Sequence, residues 1–196
     1  MTDHDYGVFY DPYCHDGSTI LKNKIGIRDQ ALLESAERQL TSLRFEEALP
    51  RGIFDVQHYC ALHRHLFQDI FEWAGKFRTV RISKGGSVFC YPEFIAPEME
   101  SLFASLSSDI LGASLNRQDF ADKAAKFLAE LNAIHPFREG NGRTQLAFLT
   151  VLSEHVGHPI NLTTFNPQRL LAAMIESFNG DVSALAAEIM GDRRSK

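Results

Sequence analysis

His135-Pro136-Phe137-Arg138-Glu139-Gly140-Asn141-Gly142-Arg143 is a polar loop set between two apolar periodic stretches, and the reading of those flanks decides the fold. Upstream, Phe120, Ala124, Phe127, Leu128, Leu131 and Ile134 recur at three- and four-residue intervals, the buried stripe of a helix that delivers His135. Pro136 ends that helix, because the proline ring disfavours helical geometry in the residue before it. Downstream, Leu146, Leu149, Val151, Leu152 and Val156 predict a second helix directly after the turn. Gly140 and Gly142 lack a Cβ, so the backbone between the two helices can take positive φ and bring its N–H groups close to an anion. The turn thus falls at a helix N-terminus, where N–H groups and the helix dipole favour phosphate. Each residue alone has a bland reading: a histidine cap, a Glu offsetting the dipole, a Gly-Asn-Gly turn. Those readings do not require a base, an acid and an anion cradle in one short loop.

Working outward, the chain reads as a single, mostly helical domain, all-α in class, with one β-hairpin. Residues 1–27 lack a sustained period and form an irregular arm, given something to bury by Tyr6, Phe9, Tyr10 and Tyr13. Asp29 caps a helix to about Glu47 whose inner stripe is Leu32, Leu33, Ala36, Leu40 and Leu43. A second helix spans Phe54 to Ala74, with Gly75 at its C-cap. His63 and His65 lie on it, but residues two apart on a helix diverge and no further ligand completes a zinc set. Residues 77–91 change texture: Phe77-Arg78-Thr79-Val80-Arg81-Ile82 and Val88-Phe89-Cys90 flank Ser83-Lys84-Gly85-Gly86-Ser87, a hairpin with an edge for strand addition. Ala96-Pro97-Glu98 starts the next helix with Pro at its first position, and Gly112 ends it. Asn116 caps the helix to His135 with Asp119 as an approximate capping box. Asn166-Pro167 opens a helix through Phe178, Asp181 caps a last one ending near Gly191, and the tail from Asp192 is polar and frayed.

With 196 residues, 44% of them hydrophobic and 23% charged, the chain can build one substantial core and is neither disordered nor fibrous. Its net charge of −5 argues against broad nucleic-acid binding. An acidic N-terminus and the lack of a long apolar run predict no signal peptide and no membrane span, hence a cytoplasmic protein; secretion into a host cell stays open. Cys14, Cys60 and Cys90 are odd in number and far apart, as reduced thiols would be.

A base beside a phosphate cradle suggests transfer chemistry on a nucleotide or other diphosphate, which relies on positioning and charge neutralisation. Glu139 is placed to hold Mg²⁺, an ion content with one or two carboxylates plus phosphate oxygens and water. Arg143 can add a charged fork, and the imidazole of His135, of ordinary pKa about 6.5, can take a proton near neutral pH. Neither a P-loop nor a dinucleotide-binding glycine pattern occurs.

The loop resembles the signature of the Fic (filamentation induced by cAMP) family, His-x-Phe-x-Asp/Glu-Gly-Asn-Gly-Arg-x-x-Arg. The resemblance extends to Asp11-Pro12-Tyr13, to residues 21–27, to the run from His63 to Gly75 and to the run from Arg78 to Lys84. Those runs look like stand-alone bacterial Fic toxins and the Fic domains of related effectors. The resemblance implies a protein adenylyltransferase that moves AMP from Mg-ATP to a Ser, Thr or Tyr hydroxyl of a target protein. His135 would be the general base and Phe137 the anchor of the loop. Glu139 would bind Mg²⁺, Gly140, Asn141 and Gly142 would form the anion hole, and Arg143 would contact the β-phosphate. Ile82, Ser83, Lys84, Gly85 and Gly86 would belong to the flap that registers the target. Gly142, where a kinase-like branch carries Lys, favours nucleotidyl over γ-phosphoryl transfer.

One position departs from the signature: the second Arg would fall at 146, where this chain has Leu146. Three consequences stay open: attenuated ATP use with Gln145 as a partial substitute, transfer of another phosphate-linked moiety, or a nucleotide-binding regulatory module. The family's inhibitory Ser/Thr-x-x-x-Glu-Gly/Asn pattern is also missing, since Ser42 to Glu46 is followed by Glu47. That points to a separate small antitoxin supplying the Glu. By the same resemblance the target would be a subunit of a bacterial type II topoisomerase.

Overall fold

The computed structural model describes residues 11–84, 86–162 and 165–191. Among them the chain is all-α with one small hairpin. The helices are α1 (Gln30–Glu46), α2 (Val56–Phe67), α3 (Pro92–Leu106), α4 (Arg117–Ile134), α5 (Asn141–His155), α6 (Pro167–Phe178) and α7 (Ser183–Met190). Strands β1 (Ser83–Lys84) and β2 (Ser87–Val88) pair antiparallel, with Ser83 opposite Val88 and Lys84 opposite Ser87. Four helices begin with the side chains that chemistry favours there. Asp29, Asp55, Asn116 and Asn166 sit in extended backbone and accept a hydrogen bond from a first-turn N–H, each worth about 1 kcal/mol. Asn116 and Asp119 reciprocate: Asp119 N–H donates to Asn116 Oδ1 at 2.9 Å, and Asn116 Nδ2 donates to Asp119 Oδ2 at 2.8 Å.

Helix α4 is the centre of the fold, packed by α3, α5, α6 and α7, while α1 packs on α2 and α2 on α5. Ala121, Ala124 and Ala125 keep α4 slim enough for neighbours on several sides, and Phe120, Leu128 and Leu131 fill the remaining space. Two apolar clusters result. The larger joins α4 to Phe103, Phe137, Phe148 and Leu185, and the smaller joins Leu33 of α1 to Leu66, Phe67, Ile70, Phe71 and Ala147. Helix α5 gives Phe148 to one and Ala147 to the other. The loop that precedes α5 therefore lies at the seam of the two clusters.

Several boundaries differ from the sequence reading. Helix α2 stops at Phe67, not Ala74, and residues 68–75 continue as tight turns that still bury Ile70, Phe71 and Ala74. Gly75, at φ 82°, does not cap a helix; its N–H donates to His63 Nδ1 at 2.8 Å and folds the chain back onto α2. Helix α3 starts at Pro92, not Pro97. Both prolines are compatible with a helix start, and Pro97 is carried inside at the loss of one hydrogen bond from the exposed turn at Glu93. The end of α3 widens into a π turn over Ser107–Leu111 before Gly112. On α1 the inner row is Leu33, Glu37 and Thr41, whereas Leu32 and Leu43 are 57% and 60% exposed. In the N-terminal arm Tyr13 packs edge-on against Trp73, at 5.5 Å between ring centroids. The expectations for Tyr6, Phe9, Tyr10, Gly85 and the tail from Asp192 lie outside the described residues.

Candidate active site

His135 ends α4 in the left-handed region, at φ 51° and ψ 61°. A non-glycine residue there is held by its surroundings, since the conformation costs about 1 to 2 kcal/mol. The buried Arg78 supplies that hold. Its Nε donates to His135 O at 2.8 Å, and its Nη atoms donate to Ile134 O at 3.2 Å, Val80 O at 2.7 Å and Cys90 O at 2.6 Å. One guanidinium thus ties the hairpin flank to the end of α4, and Cys90 N–H reinforces it by donating to Ala133 O at 3.1 Å. Phe89, the residue after β2, stacks on the His135 ring at 3.9 Å and 18°. The imidazole Nδ1 lies 3.3 Å from Asn132 O. A carbonyl can only accept, so in the neutral ring this contact sets the proton on Nδ1 and makes Nε2 the acceptor nitrogen.

The loop after His135 is clamped from every side. Phe137 is fully buried and stacks on His63 at 3.8 Å and on Tyr59 at 5.5 Å. The side chain of Asn141 closes the turn, with Oδ1 accepting from Phe137 N–H at 2.9 Å and Nδ2 donating to Phe137 O at 2.8 Å. Arg138, 4% exposed, pairs with Asp11 of the N-terminal arm at 2.6 Å. His63 braces Glu139: its Nδ1 accepts from Gly75 N–H, so Nε2 is the donor to Glu139 O at 3.0 Å. The His63 pKa is pushed down to about 3, chiefly by burial, with the Glu139 carbonyl raising it and the nearby Arg143 charge lowering it by smaller amounts. The imidazole is therefore a neutral strut. His65 does something unrelated, placing Nε2 at 2.7 Å from Arg44 O.

Gly140 precedes the first turn of α5 at φ 83°, and a Cβ there would lie 2.2 Å from Phe67 Cζ. Gly142 is different. It lies inside the helix without positive φ, exposed, and a Cβ there would meet nothing within 4 Å. Among the described residues no side chain caps this helix, so its first-turn N–H groups have no partner within the helix. Glu139 is 2% exposed; its Oε1 accepts from Gly140 N–H at 2.8 Å and lies 3.6 Å from Arg143 Nη2. Arg143 lies over the Phe67 ring at 4.8 Å, donates to Thr41 Oγ1 at 3.3 Å, and forms an ion pair with Glu37.

The structure brings His135, Glu139, Gly140, Asn141, Gly142 and Arg143 together around one helix start, with Leu146 half-buried a turn beyond. Gln145 is 2% exposed, and among the described residues its Nε2 has no hydrogen-bond partner, so it points into the protein and does not replace an Arg at 146. Of the flap, Ile82 is buried, Ser83 and Lys84 are half-buried and Gly86 is exposed at φ 86°. Sequence reasoning missed Glu37 and Thr41, whose signal was a polar pair at helical spacing from Leu33.

The donor set fits a phosphate at the uncapped helix start, with Arg143 as a charged neighbour. Among the described residues no three His, Cys, Asp or Glu side chains converge. A cation here would take Glu139 and complete its shell from ligand oxygens and water, which suits Mg²⁺ and not a protein-caged zinc. Among the described residues no helix is long and apolar enough to cross a membrane.

The model of the Fic/DOC family matches residues 53–153. The chain is 50% identical, over 94% of its length and 96% of the relative's, to the probable protein adenylyltransferase y4lH of Sinorhizobium fredii. The N-terminal Fic domain of the Bep8 effector from Bartonella sp. 1-1C superposes with a TM-score of 0.84 at 25% identity, covering 93% of this chain and 95% of that one. BepC of Bartonella tribocorum, solved with bound AMPPNP, gives a TM-score of 0.81 at 27% identity, covering 91% and 94%. By loop, fold and similarity, the chain belongs to the Fic/DOC family.

Proposed function

We propose that this chain is a protein adenylyltransferase that moves AMP from Mg-ATP onto a Ser, Thr or Tyr hydroxyl of a target protein. The observation that carries the reading is the His135 ring, stacked on Phe89 with Nδ1 against Asn132 O, beside a helix start that carries Arg143. The name of the y4lH relative and the nucleotide analogue bound by BepC support it. Nε2 takes the proton of the target hydroxyl while its oxygen bonds to the α-phosphorus. The bond from that phosphorus to the bridging oxygen breaks, and pyrophosphate leaves. The first-turn N–H groups of α5 and Arg143 hold the phosphate oxygens and stabilise the charge that builds on them. Glu139 would hold Mg²⁺, which supplies charge neutralisation when bound.

The hairpin is the proposed seat of the target. β1 and β2 form a two-stranded sheet, so each has an outer edge that can pair with an extended segment. The Phe89–His135 stack supports this reading, because Phe89 directly follows β2 and lies against the His135 ring. Leu146 supports a second reading, that turnover is attenuated. The finer expectations belong to the same proposal: a cytoplasmic toxin held by a small antitoxin, with a type II topoisomerase subunit as target. The test is incubation of the protein with Mg²⁺, α-labelled ATP and bacterial lysate. A labelled protein band that vanishes with His135→Ala is expected; no His135-dependent label from any of the four nucleotides overturns the reading.

A further inference from the structure

Arg143 is not oriented by its own helix alone. Its guanidinium is taken up by Glu37, a residue 106 positions earlier on α1. Thr41, one turn along the same helix, accepts from the other Nη, and the Phe67 ring covers one face of the cation. The competing partner is close. Glu139 Oε1 lies 3.6 Å from the Nη2 that Glu37 binds, and it stands one helical turn before Arg143. Without the Glu37 charge, the Arg143 guanidinium would settle on Glu139 and lose its fixed direction.

We propose that Glu37 is a positioning residue, holding Arg143 in the one orientation that meets the phosphate tail of a nucleotide. This rests on the nucleotide-transfer reading above. Glu37 is 2% exposed, in a row of α1 that also buries Leu33 and Thr41. A contact made to be released would need a carboxylate with somewhere to go, whereas this one is locked into a helix–helix packing face. Its second oxygen, Oε2, is buried and has no hydrogen-bond partner among the described residues. A carboxylate placed for stability alone would be expected to satisfy both oxygens. A guanidinium carries five N–H donors, enough to serve Glu37, Thr41 and a phosphate together.

The experiment measures binding of ATP and of AMP, each with Mg²⁺, to the wild type, Glu37→Gln, Arg143→Ala and the double variant. Arginine side-chain NMR of the nucleotide-free proteins runs alongside. AMP lacks the phosphates that Arg143 is held to meet, so it reports damage that is merely structural. Glu37→Gln is expected to weaken ATP about tenfold, the worth of one charge-assisted contact, to leave AMP unchanged, and to add nothing in the Arg143→Ala background. Equal weakening of ATP and AMP, additivity with Arg143→Ala, or tighter ATP binding would each overturn the proposal. A wild type that binds neither nucleotide would instead refute the transfer reading. The NMR arm then decides the role of Glu37: slow guanidinium rotation of Arg143 that is lost in Glu37→Gln supports the hold, and an unchanged signal rejects it.

Discussion

Gly140 and Gly142 stand two residues apart in the same turn, yet replacing each with alanine is expected to move stability in opposite directions. At Gly140 the added Cβ would lie 2.2 Å from Phe67 Cζ and 2.4 Å from Cε2, on a backbone at φ 83°. Phe67 cannot retreat, being fully buried, stacked on His63 at 4.7 Å and covered by Arg143. The left-handed backbone costs an L-residue about 1 to 2 kcal/mol, and overpacking a rigid core site adds about 1 to 3 kcal/mol. Gly140→Ala should therefore lose about 2 to 5 kcal/mol, or about 4 to 20 °C in Tm for a chain of this size. At Gly142 the Cβ meets nothing within 4 Å. In a helix, alanine there gains about 0.5 to 1 kcal/mol. The same methyl would stand on the open side of the helix start, so Gly142→Ala should be the more stable protein and the weaker binder of Mg-ATP. Urea unfolding followed by circular dichroism, with calorimetric titration of Mg-ATP, measures both. A Gly140→Ala protein as stable as wild type, or a Gly142→Ala protein that binds ATP undiminished, would refute this account of the turn.

Three other perturbations are as specific. His63 is buried neutral with its pKa lowered to about 3 from an ordinary 6.5. The unfolded chain thus binds the extra proton between those values. Stability is fully present above about 6.5 and falls as pH drops toward 3, by up to about 1.4 kcal/mol per unit; unfolding in metal-free buffer should show a shallower acid slope for His63→Gln. Arg78→Lys loses the planar fork that reaches four carbonyls, and should cost about 2 to 4 kcal/mol. It should also speed proteolysis of the hairpin more than of α7. Leu146→Arg returns a cation one turn beyond Arg143 and should tighten ATP about tenfold; unchanged affinity in a titration would mean that position does not face the phosphate tail.

What the sequence made legible was local. The caps at Asp29, Asn116 and Asn166 and the α4–turn–α5 unit follow from spacing and side-chain chemistry within a few residues, while the buried anchor Phe137 follows from the resemblance. The resemblance named the site residues. What escaped were contacts between distant segments that put polar groups where a periodic reading expects leucine. The inner row of α1 is Leu33, Glu37 and Thr41 because Arg143 meets it, so Leu32 and Leu43 turn outward. The end of α2 escapes an apolar-period reading for a related reason. Ile70, Phe71 and Ala74 are buried in tight turns, and an apolar period cannot tell those turns from a helix. Of the two turn glycines Gly140 alone adopts positive φ, since the helix begins between them.

The central claim is that His135 and the start of α5 direct a target hydroxyl at the α-phosphorus of a nucleotide. The most direct measurement runs the lysate reaction in parallel with α-labelled and γ-labelled ATP, in the wild type and in His135→Ala. A protein band labelled only from the α position and only by the wild type is expected. Label from the γ position, or label that survives His135→Ala, would contradict it.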